Sequence, residues 1–145
     1  MSLHPLLQRL AEAPRARAVD PASLDAWLGE PGEHVLLFAG DPVRFPEALD
    51  VAVVLPELQA AFAGRFDVGV VPREHEDRLA RRFGVQRWPS LVFLRGDGYL
   101  ATVSGMHDWT DYVAEVARAV EQDVSRAPSV GIPVVAAGAA ASACR

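Results

Sequence analysis

Thiols and imidazoles are the side chains best suited to chemistry at neutral pH, and this 145-residue chain has one of the first and four of the second. Cys144, beside the C-terminal Arg145, is the only cysteine. A single thiol cannot form an internal disulfide, a CxxC redox pair or a zinc cluster. No histidine or helix N-terminus is expected beside it to lower its pKa, so an inert thiol is the expected reading. His75 lies in Glu74-His75-Glu76-Asp77, which superficially resembles a metal cluster. Consecutive residues at a helix start point in different directions, however, whereas ligands usually share a face at i, i+3 or i+4. The expected reading is a solvated acidic helix N-terminus favoured by the helix dipole. His107 precedes the last helix and is a candidate for lining a groove, although a loop histidine without a role fits equally. No Ser, His and Asp grouping and no glycine-rich phosphate loop is present, since Gly96-Asp97-Gly98 reads as a hairpin turn. No enzyme activity, metal or cofactor is expected.

The elements that would position these residues follow from hydrophobic period and turn chemistry. Leu6, Leu7 and Leu10 suggest a short amphipathic helix over 3–13, ended by Pro14. A very short strand falls near Arg17–Val19. Asp20-Pro21 looks like an N-cap and first helical position for a helix burying Leu24, Trp27 and Leu28. Val35–Phe38 is wholly apolar and too short for a helix, hence a strand covered on both faces. A helix from about Val51 to Ala63 contains Pro56, which should kink it. Strands are expected at 66–71, 90–94 and 99–104, the last two forming a hairpin, with a short helix over 74–83 between the first and second. Asp108, with Asp111 three residues on, predicts a capped final helix carrying Tyr112, Val113, Val116, Ala119 and Val120 inward. The order defines an α/β three-layer sandwich with a mixed central sheet and helices on both faces. One domain over 1–125 is expected, followed by an Ala-, Gly- and Pro-rich tail over 126–145 without stable structure.

Composition narrows the function classes. Half the residues are hydrophobic, enough for one core, and the formal charge is −5 with a pI near 5.3. All 14 basic residues are arginine. That balance argues against nucleic-acid binding, which needs clustered positive charge. The N-terminus lacks the basic and apolar regions of a signal peptide, and no apolar run is long enough to span a bilayer, so a cytoplasmic protein is expected. The charge is uneven: residues 21–80 hold eleven acids against four arginines.

Two details resemble the thioredoxin fold over roughly Asp20–Val124. They are Arg82-Phe83-Gly84-Val85-Gln86-Arg87-Trp88-Pro89-Ser90, and a proline-kinked helix directly after the first buried strand. By that resemblance Pro89 follows a cis peptide bond and faces the former active site. The two active-site cysteines would fall at Ala48 and Val51, so thiol exchange is lost. Several acids flank that place, namely Asp41, Glu47, Asp50 and, past the kink, Glu57. In such a fold they would ring a surface that also shows Phe45, Trp88 and Pro89. An apolar patch edged by carboxylates suits a peptide with arginines beside an apolar stretch.

Gly40-Asp41-Pro42-Val43-Arg44-Phe45-Pro46-Glu47, Arg82-Phe83-Gly84-Val85 and Gly105-Met106-His107-Asp108-Trp109 together resemble the HyaE/HupG/HoxO family of [NiFe] hydrogenase accessory proteins over the first 125 residues. That resemblance implies a cytoplasmic chaperone of the hydrogenase small-subunit precursor, binding its twin-arginine signal peptide and delaying export until assembly. Asp41, Phe45, Glu47, Asp50, Glu57, Trp88, Pro89 and His107 are then the expected peptide-binding residues. The alternatives are a thioredoxin-like scaffold for another hydrogenase accessory protein, and a redox protein using Cys144.

Overall fold

The continuous apolar run at Val35–Phe38 occupies the centre of a five-stranded sheet in a computed structural model that describes residues 3–128. The strands are β1 (Ala16–Ala18), β2 (Glu33–Phe38), β3 (Phe66–Val70), β4 (Ser90–Arg95) and β5 (Gly98–Ser104), in the order β1-β3-β2-β4-β5. β1, β3 and β2 run parallel, and β4 and β5 are antiparallel additions, so the sheet is mixed as expected. The helices are α1 (Pro5–Ala11), α2 (Leu24–Leu28), α3 (Glu47–Ala61), α4 (Arg73–Phe83) and α5 (Trp109–Glu121). Alternation along β2 divides the core. Val35 and Leu37 face a layer built by α1, α3 and α5, while Leu36 and Phe38 face α2 and α4.

Local differences from the sequence expectations have local causes. Asp20 caps the turn that leads into α2, its carbonyl accepting from the Leu24 N–H (3.0 Å), but regular helix begins only at Leu24. Asp20 and Ser23 bond each other reciprocally, with the Ser23 N–H donating to Asp20 Oδ1 (2.9 Å) and the Asp20 N–H to Ser23 Oγ (3.1 Å). These paired bonds are those of a capping box, and residues 21–23 form the turn through which it leads into the helix. α3 starts at Glu47, a turn earlier than expected, because Pro46 already has a helical φ and the acids Glu47 and Asp50 favour the N-terminal dipole. It then runs on through Pro56. Its end is closed by the Gly64 N–H on the Gln59 carbonyl and the Ala63 N–H on the Ala60 carbonyl, with Ala63 and Gly64 both at positive φ. Asp108 occupies the N-cap position of α5, but its side chain makes no cap bond, so the expected carboxylate box does not form.

The C-terminus of α5 is held by side chains from the sheet. Arg65 and Arg95 both donate to the Val120 carbonyl (3.1 and 2.9 Å), and Glu33 accepts from both arginines at 3.0 Å. Burial raises the Glu33 pKa, but the two guanidinium bonds outweigh it and hold the carboxyl below its ordinary value. After α5 the chain returns along the hairpin, with Ser125 bridging Tyr99 and Pro128 lying against Gly84. Of the tail expected over 126–145, residues 129–145 lie outside the described residues, and Cys144 with them.

His34 on β2 is fully buried and packs edge-on against Trp27 at 4.6 Å. Neither ring nitrogen has a hydrogen-bond partner among the described residues. Burial holds its pKa below the ordinary 6.5, although Asp67, Glu30 and Glu33 pull the other way. The unfolded chain therefore binds a proton near pH 6.5 that the folded chain refuses, and stability falls as pH drops through that value. The loss is at most about 1.4 kcal/mol per pH unit for one proton. His34→Phe should flatten the dependence between pH 7.5 and 5.5 in urea unfolding. An unchanged slope would show that His34 is not its source.

Candidate functional site

The loop between β2 and α3 is short of regular bonds, and one buried carboxylate shapes it. Glu76 on α4 is 1% exposed; its Oε2 accepts from the Gly40 N–H (2.9 Å) and its Oε1 from Arg73 Nη1 (2.8 Å). This corrects the reading of Glu74–Asp77 as a solvated acidic run at Glu76 alone, since Glu74 and Asp77 are exposed. The signal was available: Glu76, Leu79, Ala80 and Phe83 share the i, i+3, i+4, i+7 face that α4 buries. Among the described residues no group of three potential ligands could hold a metal.

Gly40 itself has φ +76°, and a Cβ there would stand 2.6 Å from Trp88 Cδ1 and 2.9 Å from Phe45 Cδ2. A glycine is required on both counts. The two aromatic rings close over it, stacked with centroids 6.3 Å apart at 27°. Around them opens a cleft of about 610 Å³, lined by Asp41, Arg44, Arg73, Asp77 and Arg87 besides the aromatic pair. Sequence reasoning placed Asp41, Phe45 and Trp88 together correctly in space, but it did not foresee the three arginines. This cleft is not an acidic cradle.

The Trp88–Pro89 peptide bond is cis. Pro89 is buried rather than displayed, and its carbonyl accepts from the Gly105 N–H (2.8 Å). That bond brings the loop of His107 against the proline. The His107 ring is held by Nε2 on the Ser104 carbonyl (2.7 Å) and by edge contact with Tyr112 (5.0 Å). The Tyr112 hydroxyl donates to the Gly105 carbonyl (2.6 Å). Burial first, and the nearby charge of Glu47 second, push its pKa up to about 12. Glu47, His107 and Pro89 therefore gather at one end of the sheet.

Glu47, Asp50 and Glu57 are all exposed and form no ion pair among the described residues. At 100° per residue they fall on one edge of α3, beside the buried face of Ala48, Val51, Leu55 and Leu58. Ten residues of helix separate Glu57 from Glu47, about 15 Å along the axis. Glu57 accordingly belongs to a different cleft, between α1 and α3, of about 340 Å³ with Leu6, Leu10, Val53 and Pro56. The expected ring of carboxylates around Phe45 and Trp88 is thus divided. Asp41 stays with the aromatic pair, whereas Glu47, Asp50 and Glu57 run along a helix edge.

Parallel β1-β3-β2 followed by antiparallel β4 and β5, a cis proline before β4 and no cysteine near the start of α3 define a thioredoxin-like domain without the thiol pair. The family model for the hydrogenase-1 expression protein HyaE matches residues 6–112, and the chain belongs to that family. It is 56% identical over 140 residues to the hydrogenase expression/formation protein HoxO of Cupriavidus necator, covering 95% of this chain and 87% of that protein. To HupG of Bradyrhizobium diazoefficiens, also a hydrogenase expression/formation protein, it is 42% identical over 121 residues, covering 81% of this chain and 82% of that one. A crystal structure of a HupG hydrogenase expression/formation protein from Rhodopseudomonas palustris superposes with a TM-score of 0.53 at 42% identity, covering 69% of this chain and 90% of that chain. The chain is thus a hydrogenase expression/formation accessory protein. No helix among the described residues is long and apolar enough to cross a membrane.

Proposed function

We propose that this protein is a non-catalytic cytoplasmic chaperone that binds the hydrogenase small-subunit precursor through its twin-arginine signal peptide and delays export until assembly. The observation that carries the reading is the row of unpaired carboxylates along the edge of α3. Glu47 and Asp50, one helical turn apart, offer two acceptors about 5–6 Å apart at their Cβ atoms, a spacing that two neighbouring guanidinium groups can meet. The same edge leads by way of Glu57 to the cleft of Leu6, Val53 and Pro56, where Val53 is 60% exposed. An apolar stretch following the arginines has a place to lie there. Exposed ion pairs are individually weak, so affinity comes from the two parts together.

The test is binding of the full chain to the precursor with and without its signal peptide. The proposal expects binding that disappears with the signal peptide. Binding retained by the mature subunit would move the contact there and make the protein an assembly factor of another kind.

A further inference from the structure

Taking the α3 edge as the seat of the signal-peptide arginines, we infer that Trp109 is the aromatic platform beside it, which makes the site selective for guanidinium over ammonium groups. β2 and β5 are both antiparallel to β4, so α3 and α5, which follow them, start at the same end of the sheet. Both helices pack into one core layer. Two strand spacings separate β2 from β5, about 10 Å, which is also the distance between packed helices. Glu47 is the first residue of α3 and Trp109 the first of α5. α1 lies over β1 and β3, and α5 over β5, so they flank α3 on opposite sides. Pro56 lines the cleft toward α1, and Glu47 stands half a turn round α3 from it, toward α5. The charge of Glu47 is felt at the Tyr112 hydroxyl, one turn along α5 from Trp109.

Trp109 heads the stripe of Tyr112, Val113, Val116 and Val120 that α5 turns inward, yet it is 47% exposed. Among the described residues no ring stacks on it and no cation lies over it. Its neighbours Asp108 and Asp111 are exposed and form no ion pair among the described residues. Residues 45–64 and 96–117 contain no arginine, and their one basic side chain, His107, is tied to the Ser104 carbonyl. Arg44 and Arg87 line the cleft shared with Arg73 and Asp77 of α4, in the opposite layer. The indole thus stands among carboxylates without a competing guanidinium. A guanidinium lies flat on an indole while its N–H groups remain free for carboxylates, whereas an ammonium has no flat face and holds its water more strongly. The chain makes such contacts itself, with Arg44 over Phe45 at 5.2 Å and Arg82 over Phe83 at 5.1 Å. Carboxylates alone accept either cation, so the preference falls to Trp109.

The experiment titrates the full chain at low salt with the precursor and with precursors whose two signal-peptide arginines are changed to lysine or to glutamine. The arginine form should bind about tenfold more tightly than the lysine form, and the lysine form more tightly than the glutamine form. Trp109→Leu keeps an apolar side chain on the stripe and should reduce the arginine-to-lysine ratio to about twofold. Trp109→Phe should keep an intermediate ratio. In the unaltered chain the Trp109 indole resonance should shift on binding the arginine form. A ratio near one in the unaltered chain, an unchanged ratio in Trp109→Leu or an unmoved indole resonance would overturn the role of Trp109. In those cases tighter binding of the lysine than of the glutamine form would still leave the α3 edge in place. Equal binding of all three precursors would overturn both.

Discussion

Glu76→Ala should cost about 2–3 kcal/mol of stability and disorganise the loop that begins at Gly40. A hydrogen bond to a charged group contributes more than a neutral one, and a buried donor left without an acceptor carries its desolvation cost. Glu76 accepts from a loop amide and from an arginine while itself excluded from solvent. Alanine leaves the buried Gly40 N–H unmet, releases the exposed Arg73 to solvent, and opens space beneath the stacked Phe45 and Trp88. Glu76→Gln keeps an oxygen for the Gly40 N–H and gives up the charge facing Arg73, so its loss should be clearly smaller. Urea unfolding measures the first effect, and the Trp88 indole resonance reports the second. A cost below about 0.5 kcal/mol for the alanine variant would show that the carboxylate does not hold the loop.

Reversing the α3 edge with Glu47→Arg and Asp50→Arg should weaken precursor binding by about tenfold or more at low salt, with little effect on folding. Both side chains are exposed, and neither is paired among the described residues, so the fold has nothing to lose but a favourable dipole term. The difference between variant and parent should shrink as salt rises, because mobile ions screen solvent-exposed charges. Unchanged affinity at low salt would remove these two carboxylates from the interface.

Much of the fold was legible in the sequence because its signals are local. The apolar run of β2, the Gly96-Asp97 hairpin turn and the helical stripe of Tyr112, Val116 and Ala119 each depend on neighbours a few residues away. The cis bond before Pro89 was an expectation from resemblance, and the structure contains it. What was misread depends on groups distant in sequence. Glu76 stands on the face that α4 buries, which the local spacing shows, but the partner that satisfies it there, the Gly40 N–H, lies 36 residues away. The arginines of the cleft converge from the loop after β2, from α4 and from the loop before β4, which no spacing rule brings together. The carboxylates presented the converse difficulty. Glu47, Asp50 and Glu57 look like one cluster with Asp41 along the chain, yet a helix carries Glu57 about 15 Å away and sets the three on an edge that Asp41 does not share.

The most direct measurement is the affinity of the full chain for the small-subunit precursor and for the same precursor with its two signal-peptide arginines changed to glutamine, each at low and high salt. Tight, salt-sensitive binding of the first and a loss of about tenfold or more for the second at low salt is the predicted result. Equal affinity for the two precursors at low salt would contradict the claim that this protein recognises the twin arginines.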